Sequence, residues 1–185
     1  MSFCLTDDLL QLCNDQSAGG TSRFWLAPAD AVISVTEDGS NIVTAITMAP
    51  AVPGPEGYFY EFEGFRETTS FTETLTGEAP NTSLEQVLTS VFRTRSQEKR
   101  NVIEQLRSCS CGLVVIHQEL SGKRWIWGLD ETQGVGVGYS ALITGNEGTS
   151  GAAIGDNNQE SITLTAKTTE KARELDAAVV IPVEP

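Results

Sequence analysis

Apolar and polar positions alternate along most of this chain, and a helical spacing replaces the alternation once, near the middle. Strict alternation predicts half-buried strands, because successive side chains point to opposite faces of a sheet. It predicts strands over 22–27, 31–36, 42–48 and 161–167, with Ile162, Leu164 and Ala166 inward and Thr163, Thr165 and Lys167 outward. The turn Glu37-Asp38-Gly39-Ser40-Asn41 joins two of them into a hairpin, with Asp-Gly expected to supply the positive φ. Residues 84–93 fit either period and are read as strand, since Thr89-Ser90-Val91-Phe92 is strand-prone.

The run Tyr58–Leu75 is read as the longest strand. Tyr58, Tyr60 and Phe62 face one way, Glu61 and Glu63 the other, and the half beyond Phe65 is Thr/Glu-rich on both faces. A strand so polar outgrows its own core, and it is expected to project as an arm or to pair with a neighbouring subunit. Residues 77–83 read as a loop, and 49–57 as a Pro/Gly loop excluded from a sheet interior.

The helix is expected over 96–108, opened by a capping box Thr94-x-x-Gln97. Val102, Ile103 and Leu106 lie on one face, opposite Lys99, Arg100 and Glu104. A hairpin follows: 111–118, a turn at 120–123, and 124–129. In the Gly-rich stretch 130–160, one or two short strands are expected near 135–143. The tail 177–185 is apolar and reads as a docking arm. Residues 3–13 read as one or two turns of amphipathic helix with Thr6 as N-cap. The sum is one mainly β domain with one main α-helix, a β-sandwich or barrel over 21–170. A short N-terminal arm or helix (1–20) precedes it, and an extended C-terminal arm (171–185) follows.

Charge changes the picture more than composition does. The chain of 185 residues carries 25 acids against 12 Lys and Arg, a net charge of −13. Such a surface repels phosphates, which argues against binding nucleic acid by charge neutralisation. No apolar run is long enough to cross a membrane, and the start Met-Ser-Phe-Cys-Leu-Thr-Asp-Asp lacks the basic region of a secretion signal.

Candidate chemistry is sparse. Cys4, Cys13, Cys109 and Cys111 form C-x8-C and C-x-C spacings that match no common zinc pattern, and they read as buried or free thiols. The single histidine, His117, reads as structural or surface. The Gly/Val run at 134–138 has no helix start after it, so it does not read as a phosphate loop. The carboxylate pairs Asp7/Asp8 and Glu61/Glu63 do not carry a glycosidase reading. Trp125 and Trp127 share a face, which suits a core or subunit interface better than a sugar platform. No catalytic, cofactor or metal residues are assigned, and the chain is expected not to be an enzyme.

Across residues 20–170 the order of features resembles tail-tube structural proteins of tailed bacteriophages and related injection tubes. The carrying segments are the Thr-rich strand 68–75, Val91-Phe92-Arg93-Thr94-Arg95-Ser96-Gln97-Glu98-Lys99-Arg100 with its short helix, and the hairpin Leu113-Val114-Val115-Ile116-His117 … Arg124-Trp125-Ile126-Trp127-Gly128. Thr149-Ser150-Gly151-Ala152-Ala153-Ile154-Gly155-Asp156 and the strand Ile162–Ala166 complete it. The resemblance implies a virion protein with no active site and no cofactor. Its subunits would form closed, usually hexameric rings stacked around an acidic lumen through which DNA slides. The partners implied are further copies, neck or connector proteins, tail-tip proteins, a tape-measure protein, and DNA in transit without sequence-specific binding.

On this reading Thr68, Thr69, Phe71, Glu73, Leu75, Val179, Val180 and Ile181 are the expected subunit-interface residues. Glu61, Glu63 and Glu67 are the expected lumen acids. A head–tail connector or neck ring and a capsid decoration protein are the nearest alternatives, and a β-sandwich glycan-binding module through Trp125/Trp127 is a more distant one.

Overall fold

A computed structural model describes residues 20–50, 57–65, 67–78, 81–135, 138–152, 156 and 158–183. The short helix expected over 3–13 lies outside them. The described chain is mainly β with a single α-helix. Its strands are β1 (Thr21–Pro28), β2 (Val32–Glu37), β3 (Val43–Met48), β4 (Tyr60–Phe62), β5 (Ser70–Glu78), β6 (Asn81–Arg93), β7 (Leu113–Glu119), β8 (Arg124–Trp127), β9 (Gly138–Thr149), β10 (Gln159–Thr168) and β11 (Arg173–Leu175). The helix α1 spans Gln97–Ser108.

Hydrogen bonding joins all eleven strands along the path β2-β3-β11-β8-β7-β9-β10-β6-β5, with β1 beside β7 and β4 beside β1. The path has two halves that touch at one register pair, Leu113↔Ala141. At this crossing Gly128 (φ +73) lies so close that a Cβ would stand 2.7 Å from the carbonyl oxygen of Leu113. One half holds β1–β4, β7, β8 and β11; the other is the antiparallel sheet β9-β10-β6-β5.

Burial follows from this arrangement. β7 is buried on both faces along Leu113–His117, so it reads as a continuous apolar run rather than an alternating one. On one side Trp25, Ala27, Val114, Ile116 and Ile126 meet Val35 and Val43 of the β2–β3 hairpin. On the other, Phe24, Leu26, Val115 and Trp127 meet Leu88, Ile162, Leu164 and Ala166 of the second sheet, with Ile103 of α1 closing the end. The inner row of β10 is the one expected, Ile162, Leu164 and Ala166.

Several expectations are corrected. The run Tyr58–Leu75 is not one strand: it breaks between β4 and β5, where Glu67 adopts φ 62 and Thr68 donates from its amide and its hydroxyl to the carbonyl of Phe65. The expected loop 77–83 is a strand hairpin, its register held out to Glu78↔Asn81. The expected short strands near 135–143 are one twelve-residue strand, β9, because Gly145 and Gly148 sit in it as ordinary extended residues against β10. The helix is capped by Ser96, whose hydroxyl accepts from the Lys99 amide, while Thr94 takes φ 63 and makes no capping box. In the β2–β3 turn Asn41, not Gly39, supplies the positive φ, and the Asp38 carboxylate accepts from the amides of Ser40 and Ile42.

The segment 171–185, expected as an extended arm, is described to Val183 and lies along its own domain. Leu175 pairs with Arg124 and Val43, and Val179 and Ile181 pack on the β1–β7–β8 core. The Arg124 guanidinium donates to the carbonyls of Asp176 at 2.7 Å and Val179 at 2.9 Å, and Phe59 N donates to Pro182 O. Val180 alone of the three expected tail contacts is turned to solvent, 85% exposed.

Candidate assembly surface

Among the described residues the sheet β9-β10-β6-β5 has a filled inner face and an uncovered outer one. The inner face carries Phe71, Leu88, Leu164 and Ile143 in one cross-strand row. The outer rows are Ser70–Thr89–Thr163–Gly145, Thr72–Val87–Thr165–Leu142 and Thr74–Glu85–Lys167–Tyr139. Alternation puts these side chains on one surface. Hydroxyls dominate it, and Thr144 and Thr165 join theirs at 2.8 Å. Its charges balance: Glu85 stands directly opposite Lys167, and Glu147 and Arg93 lie farther along. Leu142 and Tyr139 stand out from it, 49% and 79% exposed.

Among the described residues the β5 margin of this sheet is unpaired and the β9 margin is unpaired except at Ala141. Among the described residues β5 pairs only with β6, over nine residues, and β9 pairs with β10 along its length but with β7 at one position. An edge strand offers a row of unpaired backbone donors and acceptors to another chain. β5 restrains this with Thr and Glu and with Gly77 (φ +94), where a Cβ would meet the carbonyl oxygen of Asn81 at 2.4 Å.

The expected interface residues divide. Leu75 is exposed on β5, at 62%. Thr69 is instead buried, its hydroxyl 2.9 Å from that of Ser90. Phe71 turns inward, 4.2 Å from the His117 ring and 5.2 Å from Trp127. Glu73 also points in and accepts from Gln86 Nε2 at 2.9 Å and from the Ala172 amide at 2.7 Å. Thr68 is half-buried in the β4–β5 bend. Thr69, Phe71 and Glu73 therefore work within the subunit, because from Thr69, just ahead of β5, as far as Glu73 the odd-numbered residues face the core, a pattern that ends at the exposed Leu75; the outer surface is made by Ser70, Thr72 and Thr74.

The expected lumen acids lie on β4 and the bend after it, not on the hydroxyl face. Glu61 accepts from Arg23 at 2.9 Å, an exposed pair. Glu63 and Glu67 are exposed.

Trp127 is 2% exposed and fills the core, so the two tryptophans do not form an open platform; Trp125 is half-buried beneath Lys123. His117 is buried and neutral, its pKa lowered to about 4 by desolvation. Its Nδ1 accepts from Trp127 Nε1, which places its proton on Nε2. Cys109 and Cys111 are free thiols beside a cavity of about 530 Å³; Cys4 and Cys13 lie outside the described residues. Among the described residues no group of three or more His, Cys, Asp or Glu is placed to hold a metal, and no helix is long and apolar enough to cross a membrane.

The hydroxyl rows and the length of β9 were the features the sequence reading missed. Ser70, Thr72, Thr74 and Thr76 alternate with Phe71, Glu73 and Leu75, and that period-two signal was present. Comparison with protein-family models, with curated proteins and with solved structures returned no match of any kind.

Proposed function

We propose that this protein is a non-enzymatic structural subunit that assembles with copies of itself into rings, stacked as the tube of a bacteriophage tail. The observation that supports the reading is the four-stranded sheet that, among the described residues, has one face packed, one face uncovered, the β5 edge unpaired and the β9 edge paired with β7 at Ala141 alone. A subunit whose β5 edge pairs with the β9 edge of the next makes a heterologous, head-to-tail contact, and such a contact closes into a ring when its rotation allows. Closure also removes both exposed edges at once.

In the ring the hydroxyl face lines the conduit. It offers a passing duplex hydrogen-bonding groups of balanced charge, while the net charge of −13 keeps the whole assembly repulsive to phosphate. The proposed site is the virion, with neck, tail-tip and tape-measure proteins as the other partners. A neck ring that caps one end shares the same edges and differs in copy number.

Electron microscopy of the purified full chain over a range of concentration and salt tests the reading. Rings or tubes with a continuous inner wall are expected. A chain that stays monomeric throughout, by sedimentation as well as by imaging, overturns it.

A further inference from the structure

The loop that joins α1 to β7 carries two thiols that the proposed assembly does not use. Cys109 caps the C-terminus of α1, its amide donating to the Leu106 carbonyl at 3.3 Å, and Cys111 stands two residues on, just ahead of β7. The chain here is tightly folded. The Ser110 amide donates to the Ser108 carbonyl at 2.8 Å, and the Gly112 amide to the Cys109 carbonyl at 3.1 Å. Gly112 takes φ +86 and packs so close to Ser140 that a Cβ would stand 2.4 Å from that of the serine. Two residues of chain span at most about 7 Å even when extended. A turn closed by hydrogen bonds is shorter, which puts the two Cα atoms within the roughly 4.4–6.8 Å that a disulfide bridges.

The two thiols are not equivalent. Cys111 is exposed. Cys109 is half-buried, packs against the core that holds Ile103 and Leu113, and donates its S–H to the Gln105 carbonyl at 3.5 Å. Burial raises the Cys109 pKa, and the Asp30 carboxylate and Cys111 raise it further. The carbonyls that end α1 act in the same direction, because the C-terminal end of a helix disfavours an anion. Both thiols border the same cavity of about 530 Å³, together with Asp30, Tyr58 and Tyr60. A small molecule that enters it meets both. Thiol–disulfide exchange needs this division of labour: an accessible thiolate that attacks, and a neighbouring thiol that completes the exchange.

We infer that Cys109 and Cys111 are a dithiol modification site, which small organic disulfides convert into a Cys109–Cys111 bridge. Cys111, as the thiolate, attacks one sulfur of the incoming disulfide. That S–S bond breaks, and half of the reagent leaves as a thiolate that takes up a proton. The other half stays on Cys111 as a mixed disulfide. Cys109 then gives its proton to solvent, attacks the Cys111 sulfur and displaces the second half. Two cysteine thiols are oxidised, and one organic disulfide is reduced to two thiols. The bridge ties the end of α1 to the entry of β7 and takes the S–H donor away from the Gln105 carbonyl.

The test uses the full chain with Cys4→Ser and Cys13→Ser, treated with 2-hydroxyethyl disulfide, an uncharged reagent that the acidic surface does not repel. Intact mass and peptide mapping of residues 108–123 read the products. The protein with both thiols is expected to lose two hydrogens and to retain no reagent. Cys109→Ser in the same background is expected to stop at one adduct on Cys111. Cys111→Ser is expected to react at least about tenfold more slowly than Cys109→Ser, because its remaining thiol is shielded and seldom ionised. A lasting adduct on the protein with both thiols overturns the inference. So do equal rates in the two single variants, and so do covalent dimers in place of the bridge. The unaltered four-cysteine chain gives the same answer without the serine changes: a bridge within residues 108–123 supports the site, and pairing of either thiol with Cys4 or Cys13 removes it.

Discussion

The indole nitrogen of Trp127 donates to Nδ1 of His117 at 3.2 Å, one step diagonally across the β7–β8 pair. The Phe71 ring lies against both, so the contact joins the two halves of the sheet path. His117 is 1% exposed, and desolvation lowers its pKa from 6.5 to about 4. The unfolded chain therefore binds a proton that the folded chain refuses. The stabilisation is fully present above pH 6.5 and is lost as the pH falls from there to about 4. That interval corresponds to roughly 3 kcal/mol. Urea titrations at pH 7.5 and pH 4.5 should show His117→Gln losing less stability to acid than the native chain by an amount of that order. Parallel losses would mean that the carboxylates alone set the acid response.

Gly64 approaches the Thr69–Ser90 hydroxyl pair so closely that a Cβ would stand 2.1 Å from one oxygen and 2.3 Å from the other. Its φ is not in the left-handed region, so the requirement is for space rather than for backbone freedom. Both hydroxyls are on short side chains that cannot swing far. Gly64→Ala is expected to cost about 1–3 kcal/mol, as overpacking does. The same change in a Thr69→Ala/Ser90→Ala background should cost much less, because the atoms it strikes are gone. A thermal denaturation cycle over the four proteins measures the difference, and an equal penalty in both backgrounds contradicts the contact.

The layers of the fold were legible where one face of a strand is buried and the other wet, as in β10. They were harder to read where both faces are buried or neither is. β7 shows no alternation because it has cores on both sides. β9 reads from sequence as shorter than it is because Gly145 and Gly148 resemble turn residues, yet each sits against a neighbour's side chain, Thr163 and Arg95, that uses the missing Cβ. The Thr-rich run was assigned as one piece because β propensity does not register a bend, and the bend at 63–69 rests on the Thr68 and Thr69 hydroxyls. The apolar tail was assigned outward because sequence cannot say which chain's surface an apolar segment covers. Here the Arg124 guanidinium answers it by clamping the tail's carbonyls at home.

On α1 the three apolar residues do unequal work. Ile103 is 5% exposed in the core between the sheets, Leu106 is half-buried, and Val102 is 38% exposed. Ile103→Ala should therefore cost about 2–4 kcal/mol, the range for a cavity in a packed site. Val102→Ala should cost about 1 kcal/mol or less, since little area leaves the core. Chemical denaturation distinguishes the two, and equal costs would place the helix a quarter turn from where it lies.

Glu73 ties three segments: its Oε1 accepts from Gln86 Nε2 on β6 and from the Ala172 amide ahead of β11. Gln86 is 1% exposed, so Glu73→Ala leaves a buried donor with only the Glu170 carbonyl at 3.3 Å. Losing an acceptor for buried donors costs about 1–3 kcal/mol. Glu73→Gln keeps an oxygen in place and should cost less. Amide exchange at Ala172 reports the effect directly, faster in Glu73→Ala than in Glu73→Gln. The same rate in both would mean the C-terminal segment is held without it.

The assembly proposal separates edge from face. Thr72 and Thr74 are exposed on β5, two residues apart on one side of an edge strand. Thr72→Lys with Thr74→Lys places two like charges where a neighbour's strand must be desolvated, a device that blocks edge pairing. Neither threonine is in the core, so stability should stay within about 0.5 kcal/mol of the native value while rings and tubes disappear. Thr163 stands in the middle of the same face on β10, between β6 and β9, with no open edge beside it. Thr163→Lys should leave ring assembly intact, yet it adds one cation per subunit to the conduit wall. Rings of that variant should retain duplex DNA at low salt and release it as salt rises. Sedimentation and DNA retention on the two variants decide the matter. If Thr163→Lys also abolishes rings, the face rather than the edges makes the contact between subunits. If the double edge variant still assembles, β5 is not a closing edge.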